Sequence, residues 1–418
     1  MPILTLDDIQ PGMVLAEDLA TFDGRMLLPR GAVITEAHLR TCRVWGIAEA
    51  SIQGDEDEDD YPTSLDQLDP EVLDVCKILA ARRFLLNPSS HPVVREMARL
   101  FVLRRARGLT ADQARWILSA SPHDDDLDLF TPQAAGAAID PDQVAAREME
   151  LASLPNIFFQ ISESLKNPRS SAAYVAEVIS KDVALAAKLL KMVNTPFYGF
   201  AQKIDTLSRA VTIVGTNQLT NLALGLSVIS VFEGIPEKNF TLKDFWLHSV
   251  ACGIVSRLLA ARAGLDGDEK FFVAGLLHDI GRLVMLRNHP AQSTEVLRRA
   301  ASGRKALVEV ERKLWGCTHA DIGGRMLKRW RLPDFLVTLV GGHHAALQSA
   351  LPREAAVVSV ADFIAHGLEM GESGPTLVPE LDANAWQTLG LAAADLADIA
   401  RQAERQTSTI MHAFFPGE

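Results

Sequence analysis

The sequence predicts a mainly α protein, a large all-helical domain carrying a small β-rich module at its N-terminus. Three observations predict it. Apolar residues recur at three- and four-residue spacing through most of the chain after residue 65, which is the period of a helix face. No alternating strand pattern rises above noise after residue 60. Short apolar runs between turn formers are confined to the first 53 residues, as short strands require. The chain has 418 residues, 48% hydrophobic and 22% charged, with 27 Gly and 20 Pro. That balance is globular and excludes a disordered chain, a collagen-like repeat and a coiled-coil rod.

In the β-rich module, residues 1–54, Gly24-Arg25-Met26-Leu27-Leu28-Pro29-Arg30-Gly31 brackets an apolar run with turn formers. Thr35 caps a short helix starting at Glu36, and a last strand falls near Ser51-Ile52. The run DEDEDD at 55–60 marks an acidic linker over 55–64. Residues 65–120 form a helical module: Leu73, Cys76, Leu79 and Ala80 share a face, as do Val94, Met97, Leu100 and Phe101. Pro92 sits where a first helical turn tolerates it. Residues 121–147, with DDDLD at 124–128, Thr131-Pro132 and an Ala/Gly cluster, are a second linker.

From 148 to 415 the spacing predicts helices over Val175–Val193, Asn217–Phe232, Phe245–Ala261, Glu269–Leu286, Glu309–Leu314, Ala320–Trp330, Phe335–Gln348 and Ala355–Gly367. Pro196, Pro236, Gly264, Pro290, Pro333 and Pro352 fall at the breaks.

The net charge is −12, but the two acidic runs hold ten of the acids. Without them 43 acids face 41 bases, so the acidity belongs to the linkers. No basic stripe marks a nucleic-acid footprint, and the locally basic 71–120 segment reads as a solvated helix face. Cys42, Cys76, Cys252 and Cys317 form no CxxC pair and read as reduced thiols of a cytoplasmic protein. The most apolar stretch, Leu222 to Phe232, is too short to span a bilayer, so no membrane partner is expected. GxxxxGK[ST], GxGxxG and GxSxG are all absent, which argues against P-loop, dinucleotide and α/β-hydrolase chemistry.

The histidines are unevenly placed. His248 opens a predicted helix, and Gly275-Leu276-Leu277-His278-Asp279-Ile280-Gly281 follows. Then come His319, the pair His343-His344, and Asp362. Imidazole with carboxylate suits a borderline divalent ion such as Fe²⁺, Mn²⁺ or Zn²⁺. A His-Asp pair among leucines must be paired, hydrogen-bonded or metal-bound; mutual satisfaction without metal is the alternative. His289, His366 and His412 read as ordinary surface or packing histidines. Cys252 reads as a core thiol, and Trp246, Trp315 and Trp330 as core anchors.

GLLHDIG resembles the signature of the HD superfamily, whose fold is an all-helical bundle and whose founding members are metal-dependent phosphohydrolases. The H…HD…D pattern falls on His248, His278-Asp279 and Asp362. The HD-GYP subset, cyclic di-guanylate phosphodiesterases, implies further metal histidines at His319, His343 and His344. The wider pattern is similar to the HDOD family, the HD-related output domain of bacterial signalling proteins. It is carried by Leu154-Pro155, Ile179-Ser180-Lys181-Asp182, Ser208-Arg209-Ala210, Phe245-Trp246-Leu247-His248-Ser249, Glu311 ahead of Trp315-Gly316-Cys317-Thr318-His319, and Trp330-Arg331-Leu332-Pro333. GRMLLPRGAVIT and RVWGI resemble the β module often found before HD-GYP domains.

Two departures from the phosphodiesterases bear on activity. Arg282 stands where HD-GYP proteins carry Lys, and no Gly-Tyr-Pro follows His343-His344. The resemblance therefore implies a cytoplasmic signalling protein whose HDOD domain is a non-catalytic output or scaffold module contacting other signalling proteins. The alternative is a metal-dependent phosphohydrolase acting on a nucleotide or cyclic di-guanylate. In either case the implied metal ligands are His248, His278, Asp279, His319, His343, His344 and Asp362.

Overall fold

The computed structural model describes residues 64–120, 138–151, 156–166, 171–195, 203–232, 241–302, 304–371 and 377–414, with short pieces of 3–53 and single residues 198, 200 and 235. Both acidic runs, at 55–60 and 124–128, and Leu154-Pro155 lie outside the described residues.

At the N-terminus β1 (Ile3–Thr5), β2 (Val14–Leu15), β3 (Leu19–Ala20) and β4 (Met26–Leu28) precede α1 (Glu36–Val44) and β5 (Glu49–Gln53). Strand β5 is central, with β1 antiparallel on one side (Leu4 opposite Ala50) and β2 on the other (Leu15 opposite Ile52). The strands bury Leu15, Leu19 and Ala50 against Leu39 and Cys42 of α1, a core of their own.

The rest is helical. α2 (Pro70–Arg83), α3 (Pro92–Ala106) and α4 (Ala111–Ala120) come first. Asp69 starts α2 by accepting from the amides of Glu71 and Val72, with Pro70 in the first turn. α5 (Pro141–Leu151), α6 (Asn156–Lys166), α7 (Ala172–Ser180), α8 (Val183–Val193), α9 (Leu207–Val214) and α10 (Thr216–Ile229) lead to the long α11 (Leu242–Arg262). Then come α12 (Asp268–Leu277), α13 (Ile280–Asn288), α14 (Pro290–Ser302), α15 (Leu307–Trp315), α16 (His319–Arg329), α17 (Asp334–Gly342), α18 (Pro352–Gly367), α19 (Ala383–Leu389) and α20 (Asp395–Phe414). Among the described residues, no helix is long and apolar enough to cross a membrane.

Three predicted helices end or break where spacing alone does not show it. The Val175–Val193 stretch divides at Lys181-Asp182, because Asp182 turns extended and its carboxylate caps the Leu185 amide at 3.0 Å. Glu269–Leu286 divides at His278-Asp279, where Asp279 leaves helical geometry. The helix from Phe335 stops at Gly342, and His343-His344 form the turn after it.

Helix α11 is the axis of the bundle. From His248 to Ser256 every residue is buried, so this middle stretch has no solvent face; α12, α18 and α20 pack around the helix. Two glycines of GLLHDIG permit the close approaches. A Cβ on Gly275 would lie 2.6 Å from the Cys252 carbonyl oxygen in α11, and one on Gly281 would lie 2.0 Å from the His319 carbonyl oxygen in α16. Both obstacles are backbone, so neither yields cheaply. Gly281→Ala is expected to cost about 2 kcal/mol by forcing α13 off α16; an unchanged urea midpoint would show that the contact carries no strain.

The helices of 65–120 share one core with those of 148–415. The Arg83 guanidinium donates to the His366 carbonyl through Nη2 (2.8 Å) and Nε (3.1 Å). Phe84 meets Phe363 edge to face, with 6.4 Å between ring centres. Met97 fills the space that a side chain at Gly367 would take. Helices α2 and α3 thus brace α18, which carries Asp362.

Candidate metal centre

Five elements converge on one buried cluster. α11 supplies His248 and the α12–α13 joint supplies His278 and Asp279. The start of α16 supplies His319, the end of α17 supplies His343 and His344, and α18 supplies Asp362. The structure brings all seven sequence-predicted residues together.

Two carboxylate oxygens are the nodes. Asp362 Oδ1 lies 3.1 Å from His248 Nε2 and 3.5 Å from His278 Nε2. Asp279 Oδ1 lies 3.0 Å from His319 Nε2, 3.5 Å from His278 Nε2 and 4.0 Å from His343 Nε2. His344 Nε2 is 2.9 Å from His319 Nε2. All are buried except His344, which is partly so.

The outer ring nitrogens fix the tautomers. His278 Nδ1 is 2.7 Å from the Gly275 carbonyl and His343 Nδ1 is 2.7 Å from the Val340 carbonyl. A carbonyl only accepts, so both Nδ1 atoms carry hydrogen. His319 Nδ1 likewise donates to Glu311, 2.8 Å from Oε2, and the His319 amide donates to the same oxygen at 3.0 Å. Carboxylate or carbonyl behind imidazole, with Nε2 turned inward, is the usual support of a metal-binding histidine.

Sequence reasoning missed two members. His366 is no ordinary packing residue: its Nε2 lies 3.4 Å from Asp362 Oδ1 and its ring centre 4.3 Å from that of His248. Its spacing of four from Asp362 puts both on one helix face. Glu311 entered only within a family pattern, and its bond to His319 appears only in three dimensions. Cys252 stays a core thiol: burial pushes its pKa up, with His278 opposing, and it belongs to none of the ligand groups among the described residues. His412 is exposed and His289 half-buried at the end of α13. Trp246, Trp315 and Trp330 are buried in the core.

The electrostatics describe a cluster balanced by protons. Burial pulls the His319 imidazole down, but Glu311 and Asp279 outweigh it and lift it to about 9. Burial also opposes charge on His278, yet Asp279 holds it well above its usual range. Asp279 is held well below the usual carboxylate range against burial, by His278, Arg282 and His319. Asp362 is held low in the same way, chiefly by His366 and His248. Burial, with His278 and His319 adding to it, drives His343 down to about 3; burial and His248 do the same to His366. When both are protonated, His278 and His319 carry two positive charges, as one divalent ion would.

The donor set fits such an ion. His278 Nε2 and His343 Nε2 are buried without a hydrogen-bond partner, which is costly unless a cation completes them. The nitrogen-rich, carboxylate-containing set matches Fe²⁺, Mn²⁺ or Zn²⁺ and includes no thiolate. His319, His343, His344 and Asp279 form one ligand group, with His248, His278 and Asp279, or His248, Asp362 and His366, beside it.

Residues 151–346 match the HDOD domain family. An uncharacterized protein of Treponema pallidum (strain Nichols) is 26% identical over 204 residues, 48% of this chain and 39% of its own. Ribonuclease Y of Fervidobacterium nodosum is 33% identical over 117 residues, 28% of this chain and 17% of its own. This chain thus spans well under half the length of these curated relatives. The crystal structure of an HDOD domain protein of Geobacter sulfurreducens superposes with a TM-score of 0.51 at 23% identity, covering 66% of this chain and 97% of that one. A signal-transduction candidate of Marinobacter aquaeolei VT8 gives 0.52 at 17% identity, over 73% and 72%. These likenesses show the all-helical HDOD-like fold. Asp362, His366 and the bracing contact of Arg83 lie outside the family match. Residues 151–346, with His248, His278, Asp279, His319, His343 and His344 within them, form an HDOD domain.

Proposed function

We propose that this chain is a cytoplasmic signal-transduction protein whose HDOD domain is a non-catalytic output module for protein partners. In this reading a divalent ion in the buried cluster serves structure or sensing. His278, Asp279, His319, His343 and His344 would hold it, with His248, Asp362 and His366 alongside; bound there, it would act as a Lewis acid that locks five elements together. The N-terminal strands and α1 would be an input head of the kind that precedes HD-GYP domains.

One observation carries the non-catalytic reading. The buried Arg282 guanidinium places Nη1 2.8 Å from Asp279 Oδ2. Phosphodiester hydrolysis needs an open coordination position and cationic groups facing the substrate phosphate. Here the arginine that replaces the usual lysine binds the cluster's own carboxylate. Asp279 and Asp362 are themselves only 3% and 5% exposed.

The second reading, a metal-dependent phosphohydrolase, is favoured by the completeness of the donor set and by the partly exposed His344. It also draws on the likeness to a protein named as a ribonuclease. The deciding experiment loads the full chain with Mn²⁺ or Fe²⁺ and assays cyclic di-guanylate and bis(p-nitrophenyl) phosphate. We expect no turnover above a His278→Ala/Asp279→Ala control. Turnover that vanishes in a control still folded by circular dichroism would replace our reading with the second.

A further inference from the structure

Asp362 and His366 stand four apart on α18 and meet His248 of α11, a carboxylate and two imidazoles at a buried helix–helix contact. We propose that these three side chains hold a second divalent ion, with His366 as a ligand and Arg83 as the residue that positions it. Resting on the reading of the cluster as a metal centre, this site goes beyond the ion that Asp279, His319, His343 and His344 would hold. The two ligand groups share no residue, so the ions do not compete for donors. Asp362, His366 and Arg83 all lie outside the family match.

Crowding argues for the ion. Three imidazole Nε2 atoms surround one oxygen: Asp362 Oδ1 lies 3.1 Å from that of His248, 3.4 Å from that of His366 and 3.5 Å from that of His278. A carboxylate oxygen has about two lone-pair sites, so it cannot accept from three rings. His248 Nδ1 and His366 Nδ1 are buried without a hydrogen-bond partner, so neither ring has a donor behind it that would keep its hydrogen on Nε2. With those hydrogens on Nδ1, the inward lone pairs of His248 and His366 converge with Oδ1 as ligands. Donors about 2.1 Å from a tetrahedral ion stand about 3.4 Å apart, close to the spacing found here. Two imidazoles with one carboxylate suit Zn²⁺ or Fe²⁺.

His366 is placed from outside the HDOD domain. Arg83, buried at the end of α2, donates to the His366 carbonyl through Nη2 at 2.8 Å and Nε at 3.1 Å. That carbonyl belongs to the last turn of α18, where carbonyls have no partner within the helix. The Arg83 carbonyl in turn accepts from the Val378 amide at 2.9 Å, and Asn87 Oδ1 accepts from the Leu381 amide at 2.8 Å. The end of α2 thus grips the chain on both sides of the turn after α18 and fixes the His366 backbone while its ring faces Asp362.

The test titrates Co²⁺ into full-length protein stripped of metal on a chelating resin, counting ions by equilibrium dialysis and reading their ligand fields by visible absorption. We expect the parent to take up two ions, His366→Ala to take up one, and His319→Ala to keep the ion whose spectrum His366→Ala loses. Arg83→Met is expected to weaken that same ion about tenfold and to leave the other unchanged. Arg83→Lys, with a point charge in place of the planar fork, should recover part of the loss. A merely structural role of Arg83 would lower thermal stability without separating one ion's affinity and spectrum from the other's. Should His366→Ala fail to fold, His366→Leu, of similar size, carries the same test. No uptake by the parent removes the reading of the cluster as a metal centre, and this site with it. Uptake of a single ion, an unchanged count and spectrum in a folded His366 variant, or equal weakening of both ions by Arg83→Met overturns this proposal alone.

Discussion

Loading Zn²⁺ into the metal-free protein is expected to raise its Tm by about 10 °C at pH 9, and by clearly less at pH 6.5. A ligand present at a thousand times its Kd stabilises the folded state by about 4 kcal/mol, and a domain of this size shifts by about 2–4 °C per kcal/mol. The pH dependence follows from His319. Its folded pKa is about 9, above the ordinary value near 6.5. Its proton therefore stabilises the metal-free fold fully below pH 6.5, and that contribution is lost as pH rises through 9. The shift corresponds to roughly 3 kcal/mol. His278, also raised, acts in the same direction. A bound ion takes the place of these protons, so the loaded protein has none of that stabilisation to lose. Acid competes with the ion for the same nitrogens. Thermal unfolding with and without Zn²⁺ from pH 6.5 to 9 reads this directly. An increment that is flat with pH, or no metal uptake, would contradict the exchange of protons for metal.

The all-helical class was legible because helix-period spacing persists wherever a face is buried, and all seven predicted donors do meet in one cluster. What spacing could not show is where tertiary contacts interrupt a helix. The apolar pattern runs straight through His278-Asp279, yet the chain turns there so that α13 meets α16 at Gly281. His366 looked like packing because only the fold reveals that the Asp362 face of α18 points inward. Glu311 lies eight residues before His319, across a left-handed turn at Gly316; no periodicity connects residues on opposite sides of such a turn. Arg83 and the His366 carbonyl are 283 positions apart, a separation at which local pattern carries no information.

Replacing Asp279 by alanine is expected to cost 3–5 kcal/mol in the metal-free protein, roughly the penalty for leaving buried charge unpaired. Its carboxylate faces Arg282 Nη1 at 2.8 Å, His319 Nε2 at 3.0 Å and His278 Nε2 at 3.5 Å. Without it a permanent guanidinium and two protonated imidazoles share a cavity with fewer anions. The imidazoles can shed their protons, but Arg282 cannot. The cost should therefore fall mainly on the arginine, and removing both partners should recover much of it. We expect Asp279→Ala/Arg282→Met to be more stable than Asp279→Ala alone, with a coupling of about 2 kcal/mol in a double-mutant cycle from urea unfolding. The same cycle bears on function. If Arg282 were held in reserve for a substrate phosphate, Arg282→Met would leave stability nearly unchanged and the coupling would vanish. A coupling near zero would thus remove the observation on which the non-catalytic reading rests.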